Sequence, residues 1–159
     1  MAEGPIIQLR NARIFQRENL VLNNIDLTVD AGEFLYLIGR TGTGKSSLLR
    51  TLYGDLPLSE GEGTVCGFDL RRLKRRQVPH LRRKIGIVFQ DFQLLSDRNV
   101  NANLLFVMKA TGWKEARTMD ERAQQVLEKV GLTNKGYKMP HELSGGEQQR
   151  VSIARALLN

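Results

Sequence analysis

The sequence predicts an α/β fold, and three observations carry that prediction. Glu33–Ile38 is a short apolar run with aromatic and β-branched members, followed by Gly39-Arg40-Thr41-Gly42-Thr43-Gly44-Lys45-Ser46-Ser47 and a helix-patterned stretch to Tyr53. Residues 5–30 alternate short apolar runs with polar breaks, the pattern of an antiparallel sheet. Residues 99–131 and 144–158 carry helical spacing and helix-start signals.

Taken in order, Ile6–Leu9, Ala12–Phe15, Leu20–Leu22 and Ile25–Val29 supply antiparallel strands, with turns at Asn23-Asn24 and Asp30–Glu33. Glu33–Ile38 reads as a buried strand, Ser46–Tyr53 as a helix, and Gly54 as its stop. Pro57–Gly63 is a turn-rich loop. Gly63–Phe68 follows as a strand in which the single cysteine, Cys66, reads as a small core hydrophobe. Leu70–Lys84 is basic and partly helical, interrupted near Pro79, and Ile85–Phe89 reads as a second buried strand. Asn99 stands where it would cap a helix over Val100–Ala110. In the next segment Ala116, Met119, Ala123, Val126, Leu127 and Val130 fall near helical spacing, with Gly131 past the end. Ser144 and Glu147, three apart, form a capping-box pattern before a last helix running toward Leu158.

The stretch Gly39–Ser46 fits G-x-x-x-x-G-K-[ST]. Strand, glycine loop and helix in that order aim backbone N–H groups and the positive end of a helix dipole at one point, which suits a phosphate chain. The glycines let the backbone close in without Cβ clashes. Lys45 would then reach the β- and γ-phosphates of a nucleotide such as ATP, and the Ser46 hydroxyl would ligate Mg²⁺.

Composition narrows the classes further. The chain has 159 residues, 41% of them apolar and 26% charged, as expected of one globular domain. A single cysteine excludes an internal disulfide or a multi-cysteine zinc site, and fits a reducing cytosol. No run approaches the roughly 18 apolar residues of a membrane span. Residues 1–10 lack the basic-then-apolar order of a signal peptide. The net charge of +7 is local, because Arg71–Lys84 holds eight of the 24 Lys and Arg and no acid, against 17 acids elsewhere. That run reads as a solvated face, as a contact for anionic lipid head groups, or as a nucleic-acid contact, in that order; no nucleic-acid partner is expected.

Leu143-Ser144-Gly145-Gly146-Glu147-Gln148-Gln149-Arg150 resembles the signature motif of ABC-type ATPases. Its place about a hundred residues after the glycine loop, with a glutamine between, strengthens the likeness. The resemblance implies a P-loop α/β domain with an antiparallel β-subdomain (residues 1–32), a P-loop core (33–91), an inserted helical subdomain (92–140), and the signature with its helix (141–159). It implies that Leu143–Gln148 face ATP held by a second, head-to-tail subunit. Phe15 stands where the family keeps an aromatic that stacks on adenine. Gln90 matches the glutamine that approaches Mg²⁺ or the attacking water. Within the family the wording is most like that of the FtsE-like cell-division ATPases, whose membrane partner is FtsX-like. Lipoprotein-release and macrolide-exporter ATPases share much of it. The implied location is cytoplasmic, peripheral on the inner face of the cell membrane.

One departure bears on activity. In the family the signature helix leads into a strand ending in Asp-Glu, and later to a His. No such strand follows here, and His80 and His141 do not occupy the histidine's position. The expectation is a cassette lacking the C-terminal part of its parallel core, marginally stable and slow or inactive in hydrolysis. A soluble DNA-repair ATPase is disfavoured, since the chain has neither a coiled-coil nor a zinc insertion. A non-hydrolysing nucleotide-binding module remains the alternative of another class.

Overall fold

In the computed structural model, which describes residues 4–159, the alternating runs near the start of the chain merge into two long strands, β1 (Ile7–Gln16) and β2 (Asn19–Val29). They pair antiparallel, with Ile7 opposite Val29 and Gln16 opposite Asn19. On its other side β1 pairs antiparallel with β3 (Glu60–Val65), and a short β4 (Phe68–Asp69) completes the sheet in the order β2-β1-β3-β4.

The polar break at Asn23-Asn24 lies inside β2 rather than at a turn, and the chain reverses instead at Arg17-Glu18. Asn24 and Asn11 adopt φ of 55° and 46°, the left-handed region that asparagine tolerates, and both mark shifts in the strand register. The Asn11 N–H donates to Asp26 Oδ1 at 2.8 Å. The extra residue resets the pleat, so Leu9, Ala12 and Ile14 are all buried. Opposite this bulge stands Gly61, at φ 81°, where a Cβ would lie 2.3 Å from the Asn11 carbonyl oxygen.

A two-residue turn, Cys66-Gly67, joins β3 to β4 with φ of 48° and 81°. Cys66 is therefore a half-exposed hairpin corner and not a core residue: the turn occupies the position that the apolar pattern assigned to packing. Its partial burial pushes the thiol pKa up, against a smaller opposing pull from Lys84.

Helix α1 (Lys45–Leu52) packs against β1 and ends at Tyr53 and Gly54, the latter at φ 73°. Pro79 lies in the first turn of α2 (Val78–Arg82), where a missing N–H costs nothing, so it opens a helix instead of interrupting one. Leu81 anchors α2 in the core, and Arg82 donates to the Tyr53 carbonyl at 3.1 Å.

The described chain divides into two compact units, the first ending at Lys84 and the second spanning Ile85–Asn159. In the second, α3 (Val100–Ala110), α4 (Ala116–Lys129) and α5 (Gly145–Ala156) enclose a core that includes Leu104, Met108, Val126, Val151 and Ala154. Each such side chain contributes about 1.5–3 kcal/mol on burial, Ala154 less. Asn99 caps α3 by accepting from the Ala102 N–H at 2.8 Å, and Gly131 follows α4 at φ 70°.

Two runs expected as buried strands do not join a sheet. Glu33–Ile38 and Ile85–Phe89 have no place in the strand ladder. Phe34, Tyr36 and Ile38 are 78%, 77% and 88% exposed. A strand buried on both faces needs a neighbouring strand for its hydrogen bonds, and no described segment pairs with either run. Ile85–Phe89 still keeps the period of two, with Ile85, Ile87 and Phe89 half-buried and Val88 exposed.

Gly61 and Gly67 share a left-handed φ, but nothing lies within 4 Å of a Cβ at Gly67. Gly61→Ala is expected to cost about 1–3 kcal/mol more than Gly67→Ala, since it adds a backbone clash to the same strain. Urea unfolding of the two variants checks this; equal midpoints would remove the close approach of β3 to the bulge.

Candidate nucleotide site

Gly39–Thr43 forms an exposed loop that runs through Gly44 into α1. Gly42 and Gly44 hold φ of 84° and 91°, conformations that a side chain would strain. A Cβ on Gly39 would meet Thr43 Oγ1 at 2.9 Å, and one on Gly44 would meet Leu22 and Val21 at 2.9 Å. Glycine at Gly44 thus lets the loop rest directly on β2. Thr43 tightens the turn, its hydroxyl donating to the Arg40 carbonyl at 2.8 Å.

The start of α1 is bare. Gly44 supplies no side-chain cap, and no acid lies in the first turn. The first-turn N–H groups therefore lack intrahelical acceptors and carry the positive end of the dipole. Lys45 Nζ donates to the Gly39 carbonyl at 2.6 Å and to that of Arg40 at 2.7 Å, arching back over the loop. Arg40, Thr41 and Ser46 are exposed, whereas Ser47 is 7% exposed with its carbonyl accepting from Thr51 Oγ1. Bare donors, two cations and a loop that Cβ atoms would obstruct fit a polyphosphate. Among the described residues no three His, Cys, Asp or Glu side chains gather as a metal site. A divalent ion that arrives with the phosphates and takes the exposed Ser46 hydroxyl fits this set.

Phe15 is half-buried in β1, paired with Leu20 next to the part of β2 that supports Gly44. The remaining candidates lie in the second unit. Leu143 is buried at 6% exposure, and Ser144 caps α5. The Glu147 N–H donates to Ser144 Oγ at 3.3 Å, and the Ser144 N–H donates to Glu147 Oε2 at 2.9 Å. The hydrogen bond from the Ser144 N–H, helped by its hydroxyl and by Lys135, holds the Glu147 carboxyl below the usual range. Nothing lies within 4 Å of a Cβ at Gly145, and only the tip of Arg150 approaches one at Gly146. Gln148 Nε2 donates to the Leu143 carbonyl at 3.2 Å. The two glycines thus leave the first N–H groups of α5 open.

Gln90 is exposed in a turn, and the residues that hold this turn were not legible as site residues. Phe92 and Gln93 both adopt left-handed φ, 58° and 47°, at about 1–2 kcal/mol per residue. The Arg155 guanidinium donates to the Gln93 carbonyl at 2.6 Å and to the Phe92 carbonyl at 2.7 Å. Ser152 Oγ, fully buried, adds a bond to the Phe92 carbonyl at 3.4 Å. Burial lowers the Arg155 pKa, partly offset by Asp91. One signal was present in the sequence: Arg155 falls on the same stripe of α5 as buried Val151 and Ser152.

Residues 22–159 match the family described as ABC transporter. The chain is 40% identical over 155 residues to the cell division ATP-binding protein FtsE of Streptococcus pneumoniae serotype 2, an overlap of 97% of this chain and 67% of that protein. It is 39% identical over 161 residues to the methionine import ATP-binding protein MetN of Nocardia farcinica, covering 99% of this chain and 48% of that one. It thus spans about two thirds of the first relative and about half of the second. Among solved structures, the dimeric post-hydrolysis state of the ATP-binding cassette MJ0796, bound to ADP and Pi, gives a TM-score of 0.83 at 31% identity. That match covers 96% of this chain and 69% of the other. With the family match spanning most of its length, the chain belongs to the ABC transporter family and has the α/β fold of its ATP-binding cassettes.

Proposed function

We propose that this chain is the ATP-binding subunit of a membrane-associated complex, in which ATP binding draws two cassettes together head to tail. The uncapped start of α1 behind the Gly39–Ser47 loop is the observation that carries the reading. Lys45 exchanges its two carbonyl acceptors for phosphate oxygens, and the first-turn N–H groups of α1 take further oxygens. Phe15 offers a ring face to adenine. Mg²⁺ bound with the nucleotide would supply neutralisation of phosphate charge, and the Ser46 hydroxyl would hold it. In a second copy, Leu143–Gln148 present the open start of α5 to the same nucleotide. The dimeric cassette bound to ADP and Pi supports both the ligand and the pairing.

The finer role is in cell division, with an FtsX-like membrane partner, after the FtsE relative. An import role is the competing assignment, favoured by the MetN relative at nearly the same identity. The proposed location is the cytoplasmic face of the cell membrane; no helix among the described residues is long and apolar enough to cross it.

Calorimetric titration of the 159-residue polypeptide with Mg·ATP tests the core of this reading. Lys45→Ala is expected to weaken binding about tenfold or more, the effect of one charge-assisted contact. Equal affinity in the variant would overturn it. Hydrolysis by the same polypeptide is expected near background, because neither Gly39–Ser47 nor the first turn of α1 carries an Asp or Glu to activate water. Clear turnover would refute that part.

Within the basic run, Arg72 pairs with Asp69 at 3.7 Å and Arg82 with Asp55 at 3.7 Å, while Lys74, Arg75 and Arg76 stay exposed. These three are the proposed contact for anionic lipid, each worth about 1 kcal/mol near such a surface. Sedimentation with anionic vesicles is expected to fall sharply when all three become Ala. Equal binding to neutral vesicles would leave the run a solvated face.

A further inference from the structure

The turn that follows Gln90 is strained, and side chains of α5 hold it. Phe92 and Gln93 are consecutive non-glycine residues at φ 58° and 47°. Their local hydrogen bonds are short-range: the Phe92 N–H donates to the Phe89 carbonyl at 3.2 Å, and the Gln93 N–H to the Asp91 carbonyl at 2.6 Å. A left-handed pair of this kind persists only where its surroundings over-determine it. Arg155 does so with a fork that matches two successive carbonyls, at 2.6 and 2.7 Å, and it arrives from the last turn of α5. Ser152, one turn earlier, reaches the Phe92 carbonyl as well.

We propose that Arg155 is the positioning residue of the Gln90 turn, fixing Phe92 and Gln93 so that Gln90 and the helix beginning at Gly145 form one body. The functional weight of this rests on the reading of Gln90 and the signature given above, but the lock itself does not. A rigid α5 carries Gly145 at its first residue and Arg155 near its last, so any displacement of the open helix start displaces the turn too. Lysine cannot replace arginine here. Its ammonium is a point charge on a flexible stem, without the planar fork that spans two carbonyls.

Amide hydrogen exchange of the nucleotide-free 159-residue chain tests the lock. In Arg155→Ala, the Phe92 and Gln93 amides are expected to exchange at least tenfold faster, with those of Leu104 and Val126 unchanged. Arg155→Lys keeps the charge and the stem, and is expected to lose most of the same protection. Unchanged exchange at Phe92 and Gln93, or full protection with lysine, would overturn the proposal. So would a uniform rise across the second unit, which would make Arg155 a general stabiliser. Because no nucleotide is present, failure of the ATP-binding reading would leave this result standing, and the calorimetry above would report that failure separately.

Discussion

Backbone N–H groups at the start of a helix have no partner within it, and glycines at the starts of α1 and α5 leave such groups accessible. At α1 a glycine precedes the helix and supplies no cap. At α5 a serine caps one N–H while two glycines keep the rest accessible. The rest of the first unit keeps the α1 opening in place. The bulge at Asn11 lets Leu9, Ala12 and Ile14 share a buried face, and the close contact of Gly44 with Val21 and Leu22 seats the loop on the hairpin.

The two openings differ in charge. Around α1 the nearby formal charges are those of Arg40 and Lys45, with no acid in the first turn. At α5 the carboxylate of Glu147 turns back to the Ser144 N–H and faces Lys135 at 3.4 Å. A dense polyanion gains most at α1, where dipole and ammonium act together. The α5 start is closer to neutral and suits a contact made with a ligand already held elsewhere. Such a division agrees with one residue set that binds and another that completes.

Helices were more legible than strands because their signals are local. Asn99, Ser144 with Glu147, and the glycines after α1 and α4 act within one turn, so adjacent residues suffice to place them. A strand is defined by a neighbour that can lie anywhere in the chain. Glu33–Ile38 has the right composition and no described neighbour, and therefore lies outside the sheet. Asn24 and Asn11 read as breaks because polar residues signal turns, yet a long strand can absorb them as bulges. Cys66 sits at a hairpin corner because its apolar neighbours belong to two strands, not one. For the site, the glycine loop and signature were contiguous motifs and could be read directly. Arg155 could not, since its acceptors are the carbonyls of Phe92 and Gln93, some sixty residues earlier.

The exposed run bears on stability as well as on topology. Phe34, Tyr36 and Ile38 are 77–88% exposed, and Leu35 and Leu37 are 48% and 40% exposed. Burying such side chains is worth about 1.5–3 kcal/mol each. Five of them together amount to roughly the net stability of an ordinary domain. The residue types are those of a strand covered on both faces, and the run leads directly into Gly39. Burial of the run would add apolar stabilisation that the described residues do not supply, and would constrain the segment leading into the loop that Lys45 spans.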